Sequence, residues 1–162
     1  MKPALCKLFY MLQKIEYLNM LVEWNTNVQD RKFVASYSGG KDSSLALYKA
    51  IQMGEAIAWI VMLEEQGQKS RSHGMSLDII HAQAKAIGLP IYSASATWQD
   101  YENQFIQLLQ KTQALGAETL VTGDIDLMAH AEWNQSVCDK SELSLCMPLW
   151  QRPRLNIVHE FI

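Results

Sequence analysis

Along this chain short apolar runs alternate with longer stretches whose apolar residues fall three and four apart, the periods of a buried strand and an amphipathic helix. Residues 32–37 (KFVASY) and 56–63 (AIAWIVML) predict strands, the second apolar at every position, as a strand covered on both faces requires. Further strands are expected over 91–94, 118–122 and 144–149. Between them the spacing predicts helices over 43–53, closed by Gly54, over 75–87, stopped by Gly88-Leu89-Pro90, and over 99–115, ended by Gly116. Another is expected over 128–140 and a short one at the chain's end, while the polar stretch 64–74 reads as a loop. For the helix over 75–87, Ile79, Ile80, Ala82, Ala84, Ala86 and Ile87 are available to the buried side; for the next, Phe105, Ile106, Leu108 and Leu109 form the stripe.

Strands alternating with helices imply right-handed βαβ crossovers, hence an α/β fold: a Rossmann-like three-layer α/β/α sandwich around a mainly parallel five-stranded sheet. Residues 1–31 precede it as an extra N-terminal helical extension, with Leu5, Leu8, Phe9, Leu12, Ile15 and Leu18 at helical spacing. Lys7, Gln13, Lys14 and Glu16 interrupt that segment before it reaches membrane-spanning length, and it has no signal-peptide cleavage pattern, so no membrane partner is expected. The helix could instead mediate assembly into a homo-oligomer.

A chain of 162 residues, 49% hydrophobic and 19% charged, suits one globular domain, occupying residues 32–162. The net charge of -3 offers no basic surplus, so nucleic acid is not expected as a partner. Cys6, Cys138 and Cys146 are odd in number and form no Cys-x-x-Cys pair, which suits neither a disulfide framework nor a zinc ribbon and points to a reducing, cytoplasmic compartment.

The chemistry concentrates in ASYSGGKDSSLAL, residues 35–47, where a strand runs into a glycine turn that opens a helix. Gly39 and Gly40 can take angles closed to other residues and let main-chain N–H groups approach phosphate oxygens. The helix adds its positive N-terminal end, Ser38, Ser43 and Ser44 add hydroxyls, and Lys41 adds a cation. Ala35 and Asp42 stand where a Walker A loop needs glycine and Ser or Thr, so that motif is excluded. A carboxylate beside phosphates is repulsive unless a divalent cation bridges them, which makes Asp42 a candidate magnesium ligand. The competing explanation is an ordinary turn whose Asp42, Ser43 or Ser44 caps the helix.

Ser38-Gly39-Gly40-Lys41-Asp42-Ser43 resembles the pyrophosphate loop (PP-loop) of the ATP pyrophosphatases, which have the fold of the adenine nucleotide alpha hydrolases (HUP) and cleave ATP between the α- and β-phosphates. With Ser70-Arg71-Ser72-His73-Gly74, Gln83 to Pro90, Gly123-Asp124-Ile125-Asp126, Cys138 and Pro148-Leu149-Trp150, residues 32–162 resemble the diphthine-ammonia ligase family. Asp126, His130 and Trp133 bring the sequence nearer the family's bacterial branch. The resemblance implies ATP and Mg2+ as cofactors, ammonia as a partner, and an acceptor carboxylate, on a protein or small molecule, that is adenylated and then amidated. It also implies roles for Lys41, Asp42 and Asp124 in catalysis, and for Ser38 to Ser44, His73, Gly123 and Asp124 in nucleotide binding. The family continues into a glycine- and glutamate-rich acceptor segment, whereas this sequence stops at Glu160-Phe161-Ile162, so that segment is expected to be absent and a non-catalytic ATP-binding module is the alternative.

His73 sits in a polar loop, where simple solvation is the alternative to ligand contact, and for Asp124 and Asp126 the alternative is helix capping. His130, Cys138 and Cys146 lie eight and then eight residues apart, no metal-site spacing. Trp133 and Trp150 read as packing residues. A thiolation enzyme on the same loop would want paired cysteines, which are lacking.

Overall fold

The computed structural model describes residues 24, 25 and 27–162. Apart from Trp24 and Asn25, the helix expected in the extension lies outside these residues, as does Cys6. The elements run β1 (Lys32–Ser36), α1 (Lys41–Ile51), β2 (Glu55–Leu63), α2 (Leu77–Ile87), β3 (Ile91–Ser95), α3 (Tyr101–Ala114), β4 (Thr119–Val121), α4 (Met128–Lys140), β5 (Ser144–Cys146) and α5 (Arg154–Phe161). The five strands pair in the order β3-β2-β1-β4-β5, every pairing parallel. This is the expected Rossmann-like α/β/α arrangement.

Alternation along the strands divides the core between the two faces of the sheet. Val34 of β1 and Ala58, Ile60 and Met62 of β2 pack with Phe105, Leu108 and Leu109 of α3 and with Ala131 and Val137 of α4. Phe33, Ala35 and Trp59 point the other way, onto Leu45, Ala46, Leu47 and Ala50 of α1 and Ile157 of α5. Both sets are buried, which explains why β2 reads as an unbroken apolar run. Each large aliphatic or aromatic side chain so enclosed contributes about 1.5–3 kcal/mol.

Several boundaries move for local reasons. The first helix starts at Lys41, two residues earlier than expected, because Gly40 takes an extended conformation at the N-cap (φ -81°, ψ 169°) and places Asp42 in the first turn, where the helix dipole favours an acid. The helix expected from 75 begins at Leu77, since Lys69 and Ser76 form an antiparallel bridge and Met75 N–H donates to Ser70 Oγ. On that helix Ile80 and Ala84, four residues apart, are buried in the core and Leu77 packs against it part-buried; Ile79 and Ile87 are half exposed, and Ala82 and Ala86 face solvent. The strand expected over 144–149 ends at Cys146 because Pro148 cannot donate to a ladder and Trp150 N–H turns back to Met147 O. The helix expected over 99–115 begins at Tyr101, after a turn in which Asp100 Oδ1 accepts from Thr97 N–H and Oγ1–H at 2.6 Å each.

The described end of the extension is built into the domain. Trp24 packs edge-on to Trp150 with ring centroids 5.6 Å apart, and Val28 is fully buried. Thr119 Oγ1–H donates to Asn27 O at 2.9 Å. At the other end, α5 is tied to α1 and to the loop after β4: Arg154 makes two 2.9 Å bonds to Asp126, and Glu160 accepts from Lys49 of α1 and from Arg152. Among the described residues no helix is long and apolar enough to cross a membrane.

Leu120, fully buried on β4, should lose about 3 kcal/mol of stability as Leu120→Ala, read as a lower denaturant midpoint at unchanged slope. The hydrogen bonds from Lys49 and Arg152 hold the Glu160 carboxyl below its usual range. Its folded value lies below the unfolded one, so its contribution is present in full above the usual carboxylate range and is lost as pH falls through the folded value. Glu160→Gln should therefore flatten the acid limb of thermal stability between about pH 6 and pH 3.

Candidate functional site

The chain reverses direction across the sheet at β1. From β1 it steps outward through α1, β2 and α2 to β3, then α3 carries it back past β1 to β4. The crevice beyond the carboxyl ends of β1 and β4 is such a fold's switch point, where ligands bind. A cleft of about 720 Å³ opens there, a size suited to a nucleotide-sized ligand. A second groove, about 680 Å³, runs along Trp24 and the flank of α4, away from the strand ends.

Ser38, Asp42, Ser43, His73, Gly123 and Asp124 all line the cleft. Gly39 turns the chain with φ +85°, and its missing side chain makes room for Met75 Sδ, which a Cβ would approach to 2.4 Å. Gly40 needs no unusual φ; what it needs is space for His73, whose Nε2 would lie 2.4 Å from an added Cβ. His73 is thus exposed to the cleft yet rests against the glycine loop, and Ser70 Oγ–H ties the same segment to Ser38 O at 3.3 Å. On the same wall, a Cβ on Gly123 would stand 2.8 Å from both Asp42 C and Ser43 N. That contact brings the end of β4 against the first turn of α1.

Capping does not account for the loop. No side chain caps α1, and the Ser43 and Ser44 hydroxyls donate to Gly40 O at 3.0 and 2.9 Å rather than accepting from the helix N–H groups. Those N–H groups remain available to an anion. Asp42 Oδ2 accepts from Lys41 Nζ at 3.0 Å, while Asp42 Oδ1 is buried without a hydrogen-bond partner. An orphaned carboxylate oxygen on a residue lining the cleft is a donor suited to a hard cation. Among the described residues no three His, Cys, Asp or Glu side chains group as a metal cage, so phosphate and water oxygens would complete the shell.

Lys41 and Ser44 are not brought into the cleft. Lys41 is largely exposed and lies with Ile157, Val158 and Phe161 of α5, and the Ser44 hydroxyl is within hydrogen-bond reach of Tyr37. Asp126, paired with Arg154, also lies outside.

Asp124 heads a network that sequence reading missed. Its Oδ2 accepts from Thr122 Oγ1–H and Asn134 Nδ2–H at 2.8 Å each, and its Oδ1 lies 3.0 Å from His130 Nδ1. The available signal was spacing: His130 and Asn134 are one helical turn apart on α4 and so share a face. The rest of the wall is aromatic. Tyr101, Phe105 and Trp133 pack with centroids 5.0–6.2 Å apart, Trp133 Nε1–H donates to Glu102 Oε2 at 3.2 Å, and Arg71 lies 4.5 Å over exposed Trp98. Burial raises the Tyr101 phenol, and the hydrogen bond and charge of Lys140 hold the Glu102 carboxyl below its usual range. Trp133 therefore packs as expected and also edges the cleft, whereas Trp150 is purely a packing residue.

A model of the diphthamide synthase N-terminal domain matches residues 31–145. The chain belongs to that family. A diphthamide synthase N-terminal domain is a PP-loop domain, and its class uses ATP. Among solved structures, the chain is similar to one described as a predicted subunit of tRNA methyltransferase from Methanocaldococcus jannaschii, at 16% identity, covering 81% of this chain and 75% of that one, with a TM-score of 0.52. Likeness at that identity is a likeness of fold. A search of curated proteins finds no match to the chain.

Gly123→Ala should drive a methyl group into the Asp42–Ser43 peptide and separate β4 from α1. ATP binding measured by calorimetry should weaken by about tenfold or more, while the far-ultraviolet circular dichroism keeps its native shape.

Proposed function

We propose that this protein is an AMP-forming ligase: it cleaves ATP between the α- and β-phosphates, transfers the adenylyl group to a carboxylate, and lets ammonia displace AMP to give an amide. The observation that carries this reading is the pairing of the uncapped α1 N-terminus with the orphaned Oδ1 of Asp42 at one side of the cleft. The free N–H groups of the first turn would take phosphate oxygens, with Ser38 and Ser43 supplying hydroxyls and His73 lying over Gly40 where the phosphates enter.

Asp42 would hold magnesium, which, when bound, neutralises the pyrophosphate as it leaves. Asp124, fixed by Thr122 and Asn134, would set the opposite side of the nucleotide site. Rate acceleration then comes from positioning and from charge stabilisation by preorganised dipoles, with no side-chain nucleophile. The two described cysteines agree: burial pushes Cys138 and Cys146 each up to about 12, so neither of them offers the thiolate that sulfur transfer would require.

One placement favours a second reading. Lys41 lies outside the cleft, as it would in an ATP-binding module without turnover.

With Mg·ATP, ammonium chloride and a pool of amino acids, dicarboxylates and tryptic peptides, the protein should release AMP and pyrophosphate and catalyse ATP–pyrophosphate exchange. Asp42→Ala should lower exchange on the order of a hundredfold. ATP binding without AMP release, or release of ADP, would leave the module reading standing and remove the ligase.

A further inference from the structure

Resting on the ligase reading, the inference concerns how the amine is made ready to attack. In neutral water ammonia is present almost wholly as ammonium, which has no lone pair, so an amide ligase that takes ammonia from solution needs a base within reach of the acyl carbon. We propose that His130 is that base and that Asp124 is its positioning residue.

A carboxylate oxygen accepts hydrogen bonds and cannot donate them. With Asp124 Oδ1 3.0 Å from His130 Nδ1, the hydrogen lies on Nδ1, and the neutral ring is left with its lone pair on Nε2. Asp124 is itself fixed, since both bonds to its Oδ2 come from groups with set positions, Thr122 at the end of β4 and Asn134 one turn along α4 from His130. The imidazole is therefore oriented by a buried framework while its side chain stays 62% exposed at the cleft, open to a small solute. Nucleophilic triads orient histidine by the same logic, here without a serine or cysteine in line.

The other carboxylates and the other histidine that line the cleft are otherwise engaged. Asp42 on α1 faces the phosphate side, Glu102 on α3 is bound by Lys140 and Trp133, and His73 on the loop after β2 rests on Gly40. In the step itself, Nε2 takes one proton from ammonium. The freed lone pair of ammonia forms the C–N bond to the acyl carbon as the C–O bond to the AMP phosphate breaks, AMP leaving with that electron pair. A second N–H proton passes to water and the amide remains.

Two measurements test this. Nitrogen-15 spectra of the histidine rings should show neutral His130 protonated on Nδ1, assigned by loss of the signal in His130→Gln; a ring protonated on Nε2 overturns the proposal. AMP release from Mg·ATP and the carboxylate and peptide pool is then compared with ammonium chloride and with hydroxylamine, which is largely unprotonated at neutral pH. His130→Gln should lower the ammonium-supported rate on the order of a hundredfold more than the hydroxylamine-supported rate. Equal losses with the two nucleophiles mean that His130 only shapes the site, and the proposal fails while the ligase stands. No AMP from the wild-type protein with either nucleophile removes the ligase reading and this inference with it.

Discussion

Gly123 has no side chain, and the backbone that ends β4 therefore lies directly on the first turn of α1, where even a methyl group would meet Asp42 C and Ser43 N at 2.8 Å. Two segments eighty residues apart in sequence share one wall of a cleft because of that contact. On one side it leaves the unpaired N–H groups of α1 and the orphaned oxygen of Asp42. On the other it sets Asp124, one residue on, within reach of α4. If the strand end stood off by the width of a side chain, the phosphate end and the Asp124 network would face separate pockets.

The two halves of the cleft are built from different chemistry. The phosphate half is mostly main chain: a glycine with φ +85°, an extended Gly40 and a helix whose serine hydroxyls turn inward onto a carbonyl. Such a surface recognises charge and shape and needs little side-chain entropy to hold it. The other half is side chain, an aspartate with three hydrogen-bond partners backed by packed aromatic rings. Rigid elements support both, which suits chemistry that works by positioning.

Periodicity made the fold legible. The strand pairing order itself could not be read from it, but alternation with right-handed crossovers left few other arrangements, and every expected strand and helix in residues 32–162 is present within a few residues of its predicted bounds. The starts of α2 and α3 shifted where a side chain outside the helix, Ser70 or Thr97, captured the local backbone, and Ile79 and Ile87 were assigned to a core that reaches only the Leu77–Ile80–Ala84 line. Helical spacing says which residues share a face and leaves open how much of that face a neighbour covers.

For the site, the sequence by itself determined the glycine loop, its place between a strand and a helix, and the unusual acid in it, because steric freedom, helix polarity and charge are properties of adjacent residues. Only the tertiary structure decided that Lys41 lies outside the cleft while Asp42 keeps one oxygen unpaired, that His73 rests on Gly40, and that Thr122, His130 and Asn134 converge on Asp124. Those are relations between segments distant in the chain, set by how the sheet and helices pack, and no local pattern carries the distance between two elements that touch only after folding.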